Sequence, residues 1–322
     1  MNILVTGANG QLGRCIRDRV KSLNETENTY IYTDAIEAAD TLDTTEYLDI
    51  VDEEEVKKFV KNSHINVIIN CAAYTNVDKA ENDYENAEAL NGIAPRNLAE
   101  AALSVGAKLI HISTDYVFNG QSFFPYIEDR MTLPTSVYGI TKEMGEKFIQ
   151  ESGCKYLIFR TAWLYSEYGN NFVKTMLRLF NEKDEINVVN DQIGTPTYAG
   201  NLADLIVNIV ETMTPIEGKE TIPLLENGIY HFTDEGVASW YDFACQIYDY
   251  DVELNVKLNG ANSKYVKING VTTKQYASKT KRPYYSVLDK TKYKTDFKGL
   301  HEPINWRDAL RGVMFMLVDN NK

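Results

Sequence analysis

The chain has 322 residues, of which 44% are hydrophobic and 25% are charged, so it is long enough to bury a large core. It carries 33 Lys and Arg against 46 Asp and Glu, and the formal charge of −13 argues against a nucleic acid or an anionic membrane as a partner. No run of 18 apolar residues and no signal-peptide pattern occurs, which predicts a cytoplasmic protein. The four cysteines are far apart and the four histidines lack ligand spacing, so we expect neither a disulfide framework nor a metal site.

The first half of the chain alternates short β-branched runs with helical patterns, which is typical of βαβ units around a parallel sheet. Strands are predicted at residues 3–5, 30–33, 67–70, 108–113 and 156–160. Helices are predicted at residues 11–23, 53–61, 87–105 and 137–151. The pattern predicts an α/β protein with a Rossmann-like, doubly wound parallel sheet.

The second half has a different rhythm, with aromatic and amide-rich loops between helices predicted at residues 172–179, 200–211 and 240–248. Residues 229–232 form an apolar run that we expect to return to the sheet as a further strand. Residues 214–227 and 251–267 are predicted to be surface loops. We therefore assign residues 1–161 to a dinucleotide-binding domain, completed by segments near 198–212 and 228–233. Residues 162–322 are assigned mainly to a smaller, interleaved α/β substrate lobe.

A glycine-rich turn follows the first predicted strand directly and opens a helix. Gly7, Gly10 and Gly13 are spaced three residues apart. In a dinucleotide-binding turn the first glycine permits the tight turn, the second lets the backbone approach a pyrophosphate, and the third allows the helix to pack closely on the sheet. The alternative is a βα turn that binds no ligand. The position of the glycines directly after the first strand favours dinucleotide binding.

Two acidic residues lie where the adenosine half of a dinucleotide would bind. Asp34 ends the second predicted strand, where a carboxylate accepts hydrogen bonds from ribose hydroxyls. The same charge repels a 2′-phosphate and favours NADH over NADPH, unless a nearby cation offsets it. Asp49 and Ile50 lie where the edge of the third predicted strand is expected to contact the adenine. In the alternative interpretation, Asp34 and Asp49 are helix caps.

Tyr138 and Lys142 share one face of a predicted helix, one turn apart. A phenol has a pKa of about 10, so it needs a neighbouring cation to exchange protons near neutral pH. Thr114 ends the fourth predicted strand, at the sheet edge where open α/β folds bind their ligands. We therefore expect the three side chains to converge on one carbonyl group of a substrate. Otherwise the Tyr/Lys pair is an exposed helix surface and Thr114 closes a turn.

Five further segments carry a resemblance to a known family. They are N-C-A-A-Y-T-N-V-D-K-A-E (residues 70–81), S-T-D-Y-V-F-N-G (113–120), R-T-A-W-L-Y (160–165), G-N-N-F (169–172) and N-D-Q-I-G-T-P-T (190–197). With the glycine turn and the Tyr/Lys pair, they resemble the extended short-chain dehydrogenase/reductase family. Within it, they are similar to the branch that reduces dTDP-4-keto sugars.

For the cofactor, NADH or NADPH, the resemblance implies three groups of contacts. Gly10, Gln11 and Leu12 would contact the pyrophosphate. Asp34, Asp49 and Ile50 would contact the adenosine, and the residues after the third predicted strand would lie along the cofactor, namely Ala73, Tyr74 and Thr75.

For the substrate, the resemblance implies that Tyr138 is the proton donor and that Lys142 binds the nicotinamide ribose and tunes Tyr138. Thr114 and Asp115 would hydrogen-bond the sugar. Trp163 would pack on the sugar ring, the alternative being a core aromatic at the lobe interface. A further candidate for the sugar-nucleotide site is Asn171.

The implied activity is reduction of the 4-keto group of dTDP-4-dehydro-L-rhamnose to dTDP-L-rhamnose, with a homodimer left open. One alternative is another nucleotide-sugar reductase or epimerase of the same family. The other is a non-catalytic subunit resembling the regulatory subunit of methionine adenosyltransferase, which acts by binding a partner protein. The presence of Thr114, Tyr138 and Lys142 together favours the enzyme.

Overall fold

The computed structural model describes residues 1–35, 45–213, 227–259, 264–277 and 280–319. In chain order its strands are β1 Asn2–Thr6, β2 Thr29–Asp34, β3 Thr45–Tyr47, β4 Val67–Asn70, β5 Lys108–Thr114, β6 Lys155–Thr161, β7 Leu164–Tyr165, β8 Glu185–Val189, β9 Ile193–Gly194, β10 Thr197–Tyr198, β11 Gly228–His231, β12 Ala238–Ser239 and β13 Lys267–Val271. Its α-helices are α1 Gln11–Lys21, α2 Glu53–Asn62, α3 Val77–Ala80, α4 Tyr84–Glu88, α5 Ala94–Val105, α6 Val137–Glu151, α7 Phe172–Glu182, α8 Ala199–Met213, α9 Trp240–Asn259, α10 Thr273–Tyr276, α11 Thr291–Asp296 and α12 Trp306–Asp319.

A parallel sheet organises the described residues, with seven strands in the order β11-β6-β5-β4-β1-β2-β3. The strand order reverses between β1 and β4, which creates a crevice at the carboxyl ends of the strands where such sheets bind ligands. The predicted Rossmann-like fold is thus confirmed. β11 pairs with β6, so the run at residues 229–232 does return to the sheet.

Helices cover both faces of the sheet and form one apolar cluster on each. On one face, Leu12 and Ile16 of α1 pack with Leu202 and Ile206 of α8. On the other face, α2 and α5 pack against the sheet with α6, through side chains such as Leu98. The central strands β1 and β4 are mostly apolar, as expected for strands with both faces buried.

A third apolar cluster gathers residues from the second half of the chain. It joins α7, α9 and α12 to β8 and β13, with Trp306 and Phe243 fully buried at its centre. α8 and β11 instead belong to the layers of the main sheet. The division into two lobes at residue 161 stays a prediction.

Three predicted segments differ from the structure. The helix predicted at residues 87–105 is α4 and α5 joined by a π-helical turn, Ala89–Ile93. The loop predicted at residues 251–267 is wrong for its first part, because α9 continues to Asn259. Leu254 is buried in the third cluster, so tertiary packing stabilises the helix at residues 251–259. The polar sequence of this segment shows no clear apolar helical face. Of the loop predicted at 214–227, residues 214–226 lie outside the described residues.

β3 was not predicted from the sequence. It is three residues long, and Glu46 and Tyr47 are exposed, so it lacks the apolar signature of the other strands. In the described part of the chain, no helix is long and apolar enough to span a bilayer.

Candidate active site

The glycine turn joins the end of β1 to α1. Gly7 has a φ of +64°, a left-handed conformation that residues with a side chain rarely adopt. A Cβ atom at Gly13 would lie 2.4 Å from the Gly7 carbonyl oxygen, so only glycine lets α1 approach the turn this closely. Gly10 precedes α1 and has no side chain to cap it. The first N–H groups of α1 are therefore suited to an anionic pyrophosphate.

The start of α1 is also held from the second half of the chain. The Gln11 Oε1 atom accepts hydrogen bonds from Asn171 Nδ2 at 2.9 Å and from Ser166 Oγ at 3.2 Å. Asn171 is the N-cap of α7 and also donates to the Ser166 carbonyl oxygen. Leu12 is buried in the core, so we expect its backbone alone to meet the cofactor. The substrate role of Asn171 stays a prediction, since its amide is engaged in these local bonds.

Asp34 lies at the end of β2, beside the glycine turn. Its Oδ2 atom accepts a hydrogen bond from the Asn9 N–H at 3.0 Å. Close by, Arg17 Nη2 donates to Thr45 Oγ1, which donates in turn to Asn9 Oδ1. A carboxylate and a buried cation thus flank the turn. A helix capped by Asp34 would begin at Ala35 and continue into residues 36–44, which lie outside the described residues.

Asp49 and Ile50 follow β3 at the edge of the sheet. Asp49 Oδ1 accepts a hydrogen bond from the Val51 N–H at 2.9 Å, and the N-cap of α2 is Asp52. The alternative in which Asp49 caps this helix is therefore wrong. Ile50 is buried, and its carbonyl oxygen accepts a hydrogen bond from Asn97.

The loop Ala73 to Thr75 follows β4, next to the crevice. Asn91 clamps its backbone, because Asn91 Oδ1 accepts from the Tyr74 N–H at 2.9 Å and Asn91 Nδ2 donates to the Tyr74 carbonyl oxygen. The Tyr74 hydroxyl donates to Asp83, so we expect the loop backbone rather than the phenol to contact the cofactor.

Sequence reasoning missed Asn91. It is fully buried in the π-helical turn, and its amide also donates to Thr141 on α6. π-Helical turns occur frequently at functional sites. The only signal in the sequence is an amide between apolar residues of a predicted helix.

Thr114, Asp115 and Tyr138 converge at the carboxyl end of β5. Thr114 Oγ1 donates to Asp115 Oδ1 at 3.0 Å, and the Thr114 hydroxyl lies within hydrogen-bonding reach of the Tyr138 phenol. The Tyr138 ring packs edge-on against Tyr116, with ring centroids 5.4 Å apart. Burial raises the pKa of Tyr138 to about 12 and that of Asp115 to about 6. The site therefore keeps the phenol protonated.

Lys142 lies one turn further along α6 and is almost completely buried. Its Nζ atom donates to the Ile112 carbonyl oxygen at 2.6 Å and lies 3.5 Å from His111 Nε2. Burial lowers the pKa of Lys142 to about 8, against a smaller opposing effect from Glu146. The charge of Lys142 can thus change within the working pH range of an enzyme.

A buried ion pair supports this part of α6. Arg160 on β6 donates two hydrogen bonds to Glu146, at 2.9 and 2.6 Å, and both side chains are almost completely buried. Ser113 also donates to Glu146. The pair holds α6 in register with the strand ends that carry the candidate catalytic groups.

Trp163 follows β6 in a strained conformation, with a φ of +49°. Its ring stacks on Trp240 of α9, with centroids 3.6 Å apart and planes 8° apart. Trp163 is only partly buried, which leaves surface for a ligand. Trp240 was not predicted as part of the site. It lies far from Trp163 along the chain, so no local pattern marks it.

Two features of the glycine turn show whether the pyrophosphate of a dinucleotide fits at this position. Side chains at positions 7 and 13 would collide with neighbouring backbone, and the helix that follows has no side-chain cap. Both features suit a pyrophosphate. The residues present therefore fit the predicted nicotinamide cofactor.

Comparisons with known proteins agree with this geometry. Residues 1–317 match the family described as RmlD substrate binding domain. The chain is 41% identical over 311 residues to a dTDP-4-dehydrorhamnose reductase of Aggregatibacter actinomycetemcomitans, covering 97% of both chains.

Two solved structures are similar over nearly their whole length. One is a dTDP-4-dehydrorhamnose reductase of Clostridium acetobutylicum, with 40% identity, a TM-score of 0.81, and 99% of this chain and 100% of that chain covered. The other is the enzyme of the same name from Bacillus anthracis, solved in complex with NADP, with 36% identity, a TM-score of 0.81, and 98% and 99% covered. The chain therefore belongs to the RmlD family, together with the dTDP-4-dehydrorhamnose reductases.

Proposed function

We propose that this protein reduces the 4-keto group of dTDP-4-dehydro-L-rhamnose to give dTDP-L-rhamnose, with NADH or NADPH as the reductant. The observation that carries the proposal is the contact between Thr114 and Tyr138 at the end of β5, with Lys142 one turn further along α6 against the same strand. These groups lie at the sheet edge that also carries a glycine turn shaped for a dinucleotide. Nearly full-length similarity to two dTDP-4-dehydrorhamnose reductases supports the choice of substrate.

In the proposed mechanism the protein supplies a proton and polarises the carbonyl. Tyr138 donates its phenolic proton to the C4 oxygen as negative charge develops there. With substrate bound, the Thr114 hydroxyl turns from Asp115 Oδ1 and donates its one hydrogen to the same oxygen, which stabilises the charge most in the transition state. When bound, the reduced nicotinamide supplies the hydride. Lys142 contributes a positive charge that eases loss of the Tyr138 proton.

The aromatic stack and the buried carboxyl would position the sugar. Trp163, supported by Trp240, offers a flat apolar surface to the pyranose ring. Asp115 is buried next to Thr114, where it suits a sugar hydroxyl as a hydrogen-bond partner. We also infer a cytoplasmic enzyme, in keeping with the composition of the chain.

The test is consumption of NADH and NADPH with dTDP-4-dehydro-L-rhamnose, with the product identified by mass spectrometry and NMR. We expect stoichiometric formation of dTDP-L-rhamnose. Tightly held cofactor together with an isomerised sugar and no net oxidation would instead indicate an epimerase. Recovery of a bound synthetase with no oxidation at all would indicate a regulatory subunit.

The Tyr138→Phe variant tests the proton donor. We expect kcat to fall by roughly 100-fold or more, as for loss of a positioned general acid. The matched control is Tyr116→Phe, which removes the hydroxyl of the ring packed against Tyr138 and should retain kcat within a few-fold. Near-normal turnover of Tyr138→Phe would contradict the assignment.

A further inference from the structure

A chain of buried polar side chains runs beneath the site, from β1 to Lys142. Thr6 Oγ1 donates to Asn70 Oδ1 at 2.8 Å, Asn70 Nδ2 lies 3.1 Å from His111 Nδ1, and His111 Nε2 lies 3.5 Å from Lys142 Nζ. Asn70 is 1% exposed and His111 is 0% exposed. Neither residue has a part in the mechanism described above.

The orientation of the Asn70 amide is determined by its other partners. Its Oδ1 atom accepts from the Ala72 backbone N–H at 3.1 Å as well as from Thr6. A backbone N–H is always a donor, so the oxygen of the amide must face Ala72 and the nitrogen must face His111. His111 Nδ1 therefore accepts a hydrogen bond.

A neutral imidazole with an accepting Nδ1 carries its proton on Nε2. Burial and the charge of Lys142 hold the pKa of His111 well below its usual value, so the ring is neutral. The Nε2–H group then faces the ammonium of Lys142, and two donors cannot bond each other. The ammonium donates to the Ile112 carbonyl oxygen instead.

We propose that His111 is a positioning residue for Lys142: its Nε2–H tautomer, fixed by Asn70, turns the ammonium hydrogens away from the imidazole and toward the Ile112 carbonyl oxygen and the open side of the site. The inference rests on the proposed role of Lys142 at the cofactor. It explains why a buried lysine beside an imidazole does not donate to it.

The same N–H group opposes the positive charge of Lys142. The groups that face Lys142 are His111 from β5, Cys71 after β4, and Glu146 on α6 itself. Glu146 is already paired with Arg160, so little compensates an additional positive dipole. Removal of the His111 N–H should therefore make the charged form of Lys142 easier to hold.

The first experiment reads the tautomer directly on the full chain, free of substrate. The protein is labelled with ¹⁵N-histidine, and two-bond ¹H–¹⁵N correlation spectra are recorded from pH 6 to 9. The His111 signals are assigned by their loss in His111→Phe. We expect a neutral Nε2–H ring throughout. An Nδ1–H ring or an imidazolium would overturn the proposal.

The second experiment measures the pH profile of kcat for His111→Phe. We expect its alkaline limb to move up by about one pH unit, in line with loss of one unfavourable contact between an N–H and a charged group. The matched control is His231→Phe, which removes another buried imidazole that contacts Tyr126 rather than Lys142. An alkaline limb equal to that of the unaltered protein would show that His111 only fills space.

The two readouts separate this inference from the proposed function. Absence of dTDP-sugar reduction by the unaltered protein would count against the function, while the tautomer would still be measurable. Normal dTDP-sugar reduction together with an Nδ1–H tautomer of His111 would contradict only the positioning role of His111. If His111→Phe fails to fold, the signals of the unaltered protein are assigned through His111→Gln instead.

Discussion

At the scale of single residues, the charge of Lys142 governs the expected pH dependence. Burial lowers its pKa to about 8, whereas the pKa of Tyr138 is raised to about 12. Tyr138 thus stays protonated while Lys142 loses its proton as the pH rises through 8. We expect kcat for reduction to be constant from pH 6.5 to 7.5 and to fall about tenfold per unit well above pH 8. A kcat profile that is flat to pH 10 would contradict this.

We expect Asp34 to set the preference between the two nicotinamide cofactors. Its carboxylate lies at the end of β2, where it would repel a 2′-phosphate, whereas Arg17, linked to the same turn through Thr45 and Asn9, would attract one. For Asp34→Asn we expect the ratio of kcat/KM for NADPH to that for NADH to rise roughly tenfold, which corresponds to one charge removed at a partly exposed site. The control is Asp49→Asn, which should change the ratio less. An unchanged ratio in Asp34→Asn would place the 2′-hydroxyl elsewhere.

At the scale of elements, the glycine turn and α1 approach each other so closely that position 13 has no room for a side chain. In Gly13→Ala the new Cβ would lie 2.4 Å from the Gly7 carbonyl oxygen, so the turn must move. We expect a loss of about 1–3 kcal/mol in the free energy of unfolding, as for overpacking, and at least tenfold weaker NADPH binding. Urea unfolding and fluorescence titration measure the two effects.

The matched control for Gly13→Ala is Gly312→Ala. Gly312 lies in α12, and a Cβ there would meet open space. Alanine should stabilise this helix by about 0.5–1 kcal/mol and leave NADPH binding unchanged. Equal destabilisation of both variants would show that the close approach at Gly13 is unimportant.

The prediction of elements succeeded where local pattern and packing agree. α6 was predicted with the bounds that the structure has, because Ser136 caps it and its buried positions follow a helical period. The π-helical turn at Ala89–Ile93 and the second half of α9 were not predicted. In both segments, tertiary packing overrides the local helix propensity. Ordinary residues differ in this propensity by only tenths of a kcal/mol each, so packing decides the conformation.

At the scale of the whole molecule, the site depends on contacts between residues that lie far apart in the chain. Trp163, just after β6, has a strained backbone conformation, and its ring stacks on Trp240 of α9. For Trp240→Ala we expect the KM for the dTDP-sugar to rise roughly tenfold, as for loss of an aromatic pair, with the KM for NADPH unchanged within twofold. Trp240→Phe keeps an aromatic surface, so both of its KM values should stay close to those of the unaltered protein. A parallel rise of both KM values would indicate general loosening.

The sequence by itself determined the parallel sheet, the glycine turn and the shared face of Tyr138 and Lys142. These features depend on residues within a few positions of each other, so spacing alone is enough to predict them. Only the tertiary structure decided the rest of the site. Asn91, His111 and Trp240 reach it from separate elements, and the orientation of the His111 ring depends on hydrogen bonds that begin at Thr6. Such contacts join positions far apart in the chain, and only packing of the elements brings them together.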